Sequence, residues 1–401
     1  MAIEELVSIG YTYVAGVDIA PDEPGAERNS YGDILLKGRL ERALVKLNPT
    51  IPRDAIDSAV RKLSRIASSN MLADNESFHQ MLIDGVPVEY RKGDDIVGDY
   101  VRVCDFTADG VKNNEFLVIN QYTIIENNNN KRPDVLLFIN GIPVVLFELK
   151  NPADENATIR KAFDQIEAYK VTIPSLFTFN EICIISDGLE AKAGSLTASY
   201  SRYSAWKTKD GINEASKFED ELSTLIHGLC APGTLLDYIQ NFVTYEKSKS
   251  EDKVTKVVKV ETVKKIAAYH QYYAVNKAVE KTCTATSENG DQRAGVVWHT
   301  QGSGKSLSMV FYTGKLVLSL NNPTIVVLTD RNDLDDQLFD TFAAGHELLR
   351  QEPKQAENRD HLKDLLQVAS GGVVFTTIQK FRPEGQAAVY PTLSERRNII
   401  F

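Results

Sequence analysis

The chain has 401 residues, of which 43% are apolar and 25% are charged, and its formal net charge is −10. This length and composition predict a globular protein of two or three domains. The acidic charge argues against a free-standing basic nucleic-acid binder, because affinity for phosphates rests mostly on Lys and Arg. A local basic groove, or nucleic acid delivered by a partner, is still compatible with this charge.

The cysteines and the first residues exclude further classes. The four cysteines are far apart, so their spacing fits neither a zinc site nor a disulfide framework. We therefore expect a reducing, cytoplasmic environment. The N-terminal MAIEELVSIG holds two glutamates and no apolar core of a signal peptide. No apolar run reaches the ~18–20 residues that a membrane span needs, so we expect no membrane partner.

Helical and strand patterns follow one another through residues 1–245, which we interpret as the first domain. Apolar spacing predicts helices over 34–47 and 53–70. From 86 to 150 the pattern changes to short strands separated by Gly, Asn and Asp turns. The elements predicted after these are a helix at 157–170, a buried strand at 181–188 and helices around 214–243.

Residues 246–265 are rich in Lys and short of large apolar side chains, and they are the best candidate for a linker. A solvated helix face or a hinge explains this composition better than a DNA-binding strip does. Strands and helices alternate in the second domain, 266–401. Its strands, at 294–300, 323–330 and 371–378, each lie next to a predicted helix. This order predicts a parallel sheet with helices outside it.

A phosphate-loop pattern lies between the first of these strands and a helix at 304–320. Its residues are Gln301, Gly302, Ser303, Gly304, Lys305 and Ser306. In such a loop the glycines let backbone N–H groups approach phosphates, the lysine reaches the β- and γ-phosphates, and the serine helps to hold Mg²⁺. His299 stands where the full pattern has its first glycine, a position that helicase-type loops often relax. A Gly-Ser turn beside a surface lysine is the weaker alternative.

Further polar residues could contact a ligand in this domain. Gln271, ahead of the loop, could read an adenine edge with its amide, although an exposed helical glutamine explains it equally well. The carboxyl ends of strands in an open parallel sheet face the ligand crevice, so polar residues there could contact a nucleic-acid backbone. Ordinary strand-end polarity is an equal alternative. These strand-end residues are Thr329, Asp330, Arg331, Thr376 and Thr377.

Charged residues interrupt the very apolar stretch RPDVLLFINGIPVVLFELK, residues 132–150. Glu148 and Lys150 share one face of a predicted strand, because side chains alternate along it. If Asp134 joins them, the two carboxylates can hold Mg²⁺, which lowers the pKa of a bound water, and the lysine can position that water. The alternative is an edge-strand Glu–Lys pair beside a strand-capping Asp.

The connection at Asn140-Gly141 decides between these two interpretations. A regular two-residue loop would place Asp134 opposite Phe147, on the face away from Glu148. A three-residue loop or a bulge corrects this parity and brings both carboxylates to one face. We therefore predict an odd-length or bulged connection between the two strands.

These motifs resemble known families. Pro133-Asp134, Glu148 and Lys150 follow the pattern of the restriction-endonuclease-like nucleases, and Gln165 with Tyr169 resembles the QxxxY motif of their RecB-like branch. From about residue 34 onward, the amino-acid sequence is similar to that of the restriction (motor) subunit of type I restriction-modification enzymes. A nuclease triad followed by a helicase phosphate loop is a rare combination. His299 also matches that family.

The resemblance implies a restriction-endonuclease-like, mixed-sheet α/β nuclease domain followed by an incomplete RecA-like parallel α/β domain. It implies an endonuclease and ATP-dependent translocase of duplex DNA that works with modification and specificity subunits. Asp134 and Glu148 would bind Mg²⁺, Lys150 would assist water attack, and Gln165 and Tyr169 would support them. The residues implied to bind ATP phosphates are Gly302, Gly304, Lys305 and Ser306.

The chain departs from the family at its end, SERRNIIF, where the acids of the DEAH segment would follow. We therefore expect weak ATP binding without efficient hydrolysis. Glu41 and Glu76 are candidates for an upstream acid that often completes such nuclease sites, although each fits a surface glutamate better. Two other functions stay open: a non-catalytic docking module, and a helicase-type ATPase whose acidic hairpin is structural.

Overall fold

The computed structural model contains two compact units, Met1–Gln240 and Asn241–Phe401. None of the helices it describes has both the length and the hydropathy of a membrane-spanning helix. The described residues are 1–66, 68, 70–151, 158–216, 218–251, 258–330, 332–381 and 392–401.

The first unit mixes helices with a large sheet. Its helices are α1 (Ala2–Ser8), α2 (Lys37–Leu47), α3 (Arg53–Ser64), α4 (Met71–Asp84), α5 (Gly110–Asn113), α6 (Ile159–Thr172), α7 (Glu221–Leu229) and α8 (Pro232–Asn241). Its strands are β1 (Thr12–Ala15), β2 (Val86–Lys92), β3 (Asp95–Val101), β4 (Phe116–Asn120), β5 (Ile124–Glu126), β6 (Asn129–Lys131), β7 (Val135–Ile139), β8 (Ile142–Leu149), β9 (Ile182–Ser186) and β10 (Ala191–Gly194).

The predicted helix at 53–70 is shorter in the structure, and a helix that we did not predict follows it. Helix α3 ends at Ser64, and the side chain of Asn70 accepts hydrogen bonds from the N–H groups of Leu72 and Ala73 at the start of α4. An asparagine at this position satisfies N–H groups that have no partner inside the helix, so it begins a new helix instead of continuing the old one.

The central sheet has six strands in the order β1-β4-β7-β8-β9-β10. Strand β1 is parallel to β4 and β8 is parallel to β9, while the other neighbours are antiparallel. Every residue of β7 and β9 is buried, as is every residue of β8 except its last. These strands read as continuous apolar runs because both of their faces are covered. The mixed sheet agrees with the α/β prediction.

The β7–β8 hairpin turns at Asn140 and Gly141, whose φ angles are 52° and 81°. Left-handed conformations at both turn residues suit a two-residue hairpin, in which Ile139 pairs with Ile142. The amide of Asn140 donates to the carbonyl of Val103, at 3.0 Å. The turn is thus held by buried polar contacts as well as by its backbone conformation.

A β-bulge follows the turn. Phe138 pairs with Pro143, but Leu137 pairs with Val145, so that Val144 is an extra residue in β8. Proline lacks the N–H that a regular ladder would use, which favours an irregularity here. Past the bulge Val135 pairs with Phe147, so Asp134 comes opposite Glu148. The predicted bulged connection is confirmed, although the extra residue lies in the strand and not in the loop.

The second unit contains a hairpin, a parallel sheet and surrounding helices. Its sheet order is β14-β15-β13-β16, and each neighbouring pair is parallel, as predicted. Its elements are β11 (Val243–Glu251), β12 (Val258–Ile266), α9 (Tyr269–Ala285), α10 (Lys305–Ser319), β13 (Thr324–Thr329), α11 (Asn332–Ala344), α12 (His346–Leu349), β14 (Pro353–Gln355), α13 (Arg359–Leu365), β15 (Val373–Thr377) and β16 (Ile399–Ile400).

Two predictions in this unit differ from the structure. Residues 246–265, predicted as a linker, lie in the antiparallel β11–β12 hairpin, except for 252–257, which are outside the described residues. Lysines obscured its alternating pattern; Lys264 is itself buried, with its amine 5.3 Å from the ring centre of Tyr245. The strand predicted at 294–300 does not form: it pairs with no described strand, and Val296 and Trp298 are each 91% exposed.

We predict that Gly141→Ala destabilises the first unit by about 2–4 kcal/mol. Gly141 has a left-handed backbone, and an added Cβ would lie 2.6 Å from the carbonyl oxygen of Leu36. The measurement is urea denaturation, followed by Trp206 fluorescence in a Trp298→Phe background.

The matched control is Gly93→Ala, because Gly93 also has a positive φ but an added Cβ there meets no atom within 4 Å. This control should lower the free energy of unfolding only by the cost of a left-handed backbone at a residue with a Cβ, about 1–2 kcal/mol. Equal losses in the two variants would contradict the steric argument.

Candidate functional site

Three charged side chains lie together at one end of the β7–β8 pair. The carboxylate of Asp134 accepts a hydrogen bond from the backbone N–H of Leu149, at 2.8 Å. The Lys150 amine lies 2.6 Å from Oε1 of Glu148. Glu148 is only 3% exposed. The bulge and these contacts therefore assemble the predicted Asp–Glu–Lys group on adjoining strand ends.

Burial strongly affects the two acidic groups of this site. It raises the pKa of Glu148, against the lowering effect of Lys150, and the nearby charge of Asp134 raises that pKa further. Burial also raises the pKa of Tyr169, and the negative charges of Glu148 and Asp134 add to this effect. Tyr169 thus keeps its phenolic proton at neutral pH, where it can donate a hydrogen bond.

Glu148 retains an unused acceptor in this environment. Its Oε2 is buried and makes no hydrogen bond of regular geometry to a described residue. A buried carboxylate oxygen without a full complement of donors is costly, and a cation would satisfy it. Two carboxylates with a spare oxygen are the hard donors that Mg²⁺ prefers, so the side chains present fit a magnesium ion.

Helix α6 brings Gln165 and Tyr169 to this group, as predicted. It packs against β8 and β9, and the hydroxyl of Tyr169 lies beside the side chains of Gln165 and Glu148. Two capping contacts fix the start of α6: the Thr158 side chain accepts from Lys161 N–H at 3.3 Å, and a carboxylate oxygen of Asp187 accepts from Ile159 N–H at 3.0 Å.

Asp187, which we did not predict, helps to position α6 rather than joining the charged group itself. It follows β9, whose last residue accepts a hydrogen bond from the backbone N–H of Lys150 at 2.8 Å. Asp187 also accepts from the N–H groups of Leu189 and Glu190, and these hydrogen bonds lower its pKa although burial opposes them. The only sequence signal was a Ser-Asp-Gly turn after a buried strand, which does not reveal the distant helix that Asp187 caps.

The candidate upstream acids do not join the pair. Glu41 forms an ion pair with Arg53, at 3.0 Å. Glu76 lies on α4 and is partly buried. In the described part of the chain no group of three or more His, Cys, Asp or Glu side chains is arranged to hold a metal ion. Among the described residues, the structure therefore brings together two carboxylates but no third.

The phosphate loop has the backbone conformation that its glycines allow. Gly302 and Gly304 both have φ angles of 79°, and α10 begins at the next residue, Lys305. The Lys305 amine donates to the backbone carbonyls of His299 and Thr300, at 3.2 and 2.9 Å. The loop thus has the left-handed glycines, the helix start and the lysine that phosphate binding requires.

Gln271 contacts the loop and is buried, so the exposed-glutamine alternative is wrong. Its Oε1 accepts from the N–H of Ala268 at 2.8 Å, and its Nε2 donates to the carbonyl of Gly304 at 3.1 Å. An added Cβ at Gly304 would lie 2.6 Å from this Nε2. Gln271 therefore packs directly on the phosphate loop through its amide.

The predicted strand-end residues also meet in the parallel sheet. Thr329 pairs with Thr377 at the carboxyl ends of β13 and β15, and the Thr329 hydroxyl lies 3.5 Å from the carbonyl of Thr376. Asp330 directly follows β13. Arg331 lies outside the described residues.

The fold and these motifs define a class: two-unit α/β proteins that join a mixed sheet with an Asp–Glu–Lys group to a parallel sheet with a phosphate loop. Residues 1–202, about half of the chain, match the family "Type I restriction enzyme R protein N terminus". Residues 270–401 match the family "SWI2/SNF2 ATPase". The chain belongs to the type I restriction enzyme R protein family.

Curated relatives agree with this family. The endonuclease subunit of the type I restriction enzyme HindI from Haemophilus influenzae is 47% identical over all of this chain, which covers 37% of that protein. A Methanocaldococcus jannaschii protein, named for the MjaIXP type I restriction enzyme, is 33% identical over all of this chain, which covers 38% of it. The chain thus spans less than two fifths of the length of these two relatives.

We predict that Glu148→Gln stabilises the first unit at pH 8. Folding raises the pKa of Glu148, so the native state disfavours its charged form, and this cost is fully present above the folded pKa. The cost disappears as pH falls through the folded pKa towards the unfolded value of 4.5. The gain from Gln should therefore shrink as pH is lowered to 4.

The measurement is urea denaturation from pH 4 to 8, followed by Trp206 fluorescence in a Trp298→Phe background. Glu41→Gln is the control, because it removes a carboxylate from a partly exposed ion pair with Arg53. A loss of stability in Glu148→Gln at pH 8 would show that the contact with Lys150 outweighs burial.

Proposed function

We propose that this chain is the DNA-cutting and nucleotide-binding portion of a type I restriction subunit. It would cleave duplex DNA by metal-dependent phosphodiester hydrolysis. One observation carries the proposal: the bulge at Val144 brings Asp134 opposite Glu148, beside Lys150. A regular hairpin would have separated the carboxylates, and the site would then have no plausible metal ligands.

In this proposal Asp134 and Glu148 would hold Mg²⁺, and a bound magnesium ion would supply a water of lowered pKa and neutralise phosphate charge. Lys150 exchanges its contact with Glu148 for the attacked phosphate, whose developing charge it stabilises. The neutral phenol of Tyr169 donates a hydrogen bond to the Glu148 carboxylate, and Gln165 holds that phenol in place. Glu148 lies on β8, and Gln165 and Tyr169 lie on α6, so these three side chains need little reorganisation during the reaction.

The second unit would bind ATP through the phosphate loop. Backbone N–H groups around Gly302 to Gly304 and the start of α10 would receive the phosphates, and Lys305 would turn from loop carbonyls to them. Ser306 is placed to help hold the accompanying Mg²⁺. The modification and specificity subunits are the proposed partners that supply recognition of the DNA sequence. Translocation of duplex DNA would be an activity of the whole restriction subunit.

We predict that Lys150→Ala lowers DNA nicking by about 10²–10³-fold, because the loss of one preorganised charge stabiliser has a cost of this size. The assay is conversion of supercoiled plasmid to open circle in Mg²⁺ or Mn²⁺. The control, Lys207→Ala, removes a partly exposed cation whose nearest acid, Glu214, is 3.9 Å away.

Nicking by wild type that is absent in EDTA and lost only in Lys150→Ala would support the nuclease. Unchanged nicking in Lys150→Ala would reject it. A wild-type chain that copurifies with methyltransferase subunits but never nicks DNA would favour the docking-module alternative.

We predict that Lys305→Ala weakens ATP binding at least about 10-fold, because the amine provides the side-chain cation of the loop. Binding can be followed with a fluorescent ATP analogue and competition by unlabelled ATP. Lys281→Ala, an exposed change on α9, should bind like wild type. Equal affinities of Lys305→Ala and wild type would contradict a functional phosphate loop.

A further inference from the structure

A second surface opens at the strand ends that carry Asp134 and Lys150. It is a cavity of about 370 Å³, lined by Asn120, Asp134, Val135, Leu149 and Lys150, with the start of α1 as a wall. Asn120 pairs with Val135 and Val135 with Phe147, so Asn120 lies on the face of the sheet opposite Glu148. The cavity therefore reaches the strand ends of the proposed active site from the face opposite Glu148.

The backbone fixes Asn120 next to Asp134. The N–H of Gly16 donates to the carbonyl of Asn120 at 3.0 Å, and the N–H of Gln121 donates to the carbonyl of Asp134 at 3.1 Å. Gln121 has a left-handed φ of 53°. An added Cβ at Gly16 would lie 2.5 Å from the Asn120 carbonyl, so this approach requires glycine. The distance between Asn120 and the proposed metal ligand is thus set by three neighbouring strands.

One hydrogen bond orients the side chain of Asn120, and it engages only the amide oxygen. The hydroxyl of Tyr13, on the edge strand β1, donates to Oδ1 of Asn120 at 3.1 Å. This contact leaves the two N–H donors of Nδ2, which make no hydrogen bond to a residue that the structure describes. They lie in a partly open cavity beside Asp134 and Lys150. A neutral donor here can bind an anion without adding a charge that would compete with the metal.

We propose that Asn120 binds a phosphate oxygen of duplex DNA next to the phosphodiester that is cut, with Tyr13 holding its amide in the donating orientation. This inference rests on the proposed nuclease function and adds a substrate contact to it. Side-chain amides commonly bind phosphate oxygens and position the duplex independently of sequence. Asn120 would hold the strand from one face while Lys150 and the carboxylates act from the other.

The test measures binding of a short fluorescein-labelled duplex to the full chain by anisotropy. Ca²⁺ is the divalent ion, and a gel verifies that the DNA is intact. Asn120→Ala should weaken binding about 5- to 20-fold, the effect of losing one hydrogen bond to a charged group. Asn120→Asp should weaken it at least as much, because a carboxylate repels phosphate. Tyr13→Phe should lose about 2- to 3-fold, since the amide keeps its donors but loses its orientation.

Three further measurements separate a DNA contact from other roles. Asn130→Ala, an exposed asparagine in β6, should bind like wild type. The dependence of affinity on salt should have the same slope in Asn120→Ala and wild type, because a neutral amide releases no counterion. Unchanged thermal unfolding of Asn120→Ala would show that the loss of affinity does not come from misfolding.

Wild-type affinity in a folded Asn120→Ala would overturn the inference. A shift only in the Mg²⁺ concentration needed for nicking, with DNA affinity unchanged, would also overturn it, because Asn120 would then support the metal. Nicking that survives in Lys150→Ala rejects the nuclease proposal instead. The binding data still decide the role of Asn120 in that case, since they require no cleavage.

Discussion

The register between β7 and β8 is the constraint on which the proposed active site depends. Side chains alternate between the faces of a sheet, so a shift of one residue exchanges every side chain between the faces. The single extra residue, Val144, makes this shift and brings Asp134 opposite Glu148. The same stretch without a bulge would have an equally apolar core and no paired carboxylates.

This register is fixed far from the site that it serves. The Asn140–Gly141 turn lies about 20 Å from Asp134 along β7. Gly141 accepts a hydrogen bond from the N–H of Leu36 at 2.9 Å, and the Asn140 side chain bonds both Val103 and the backbone N–H of Glu115. These contacts hold the turn against the surrounding loops, so the hairpin cannot slide without breaking buried hydrogen bonds.

The hairpin and its need for a bulge could be predicted from the sequence, because strand alternation is a local rule. The position of the bulge could not be predicted, since it depends on Pro143 and on what surrounds the turn. Asp187 was missed for a similar reason: its carboxylate caps a helix that begins at Ile159, much earlier in the chain. Local composition was misleading where strand pairing between distant residues decides the secondary structure. The lysine-rich β11–β12 hairpin pairs although its composition suggested a linker, and the apolar segment 294–300 pairs with no described strand.

The charges of the site explain how an acidic chain could attract a polyanion. In ionised form Asp134 and Glu148 contribute two negative charges and Lys150 one positive charge, so the net charge of the group is −1. With a divalent cation this sum becomes +1, in a protein of net charge −10. Burial raises the pKa of Glu148, so folding disfavours the charged form of this carboxylate. In the proposed mechanism a divalent cation that binds before the DNA would relieve this cost, and only the metal-bound group would have the sign of charge that a phosphodiester requires.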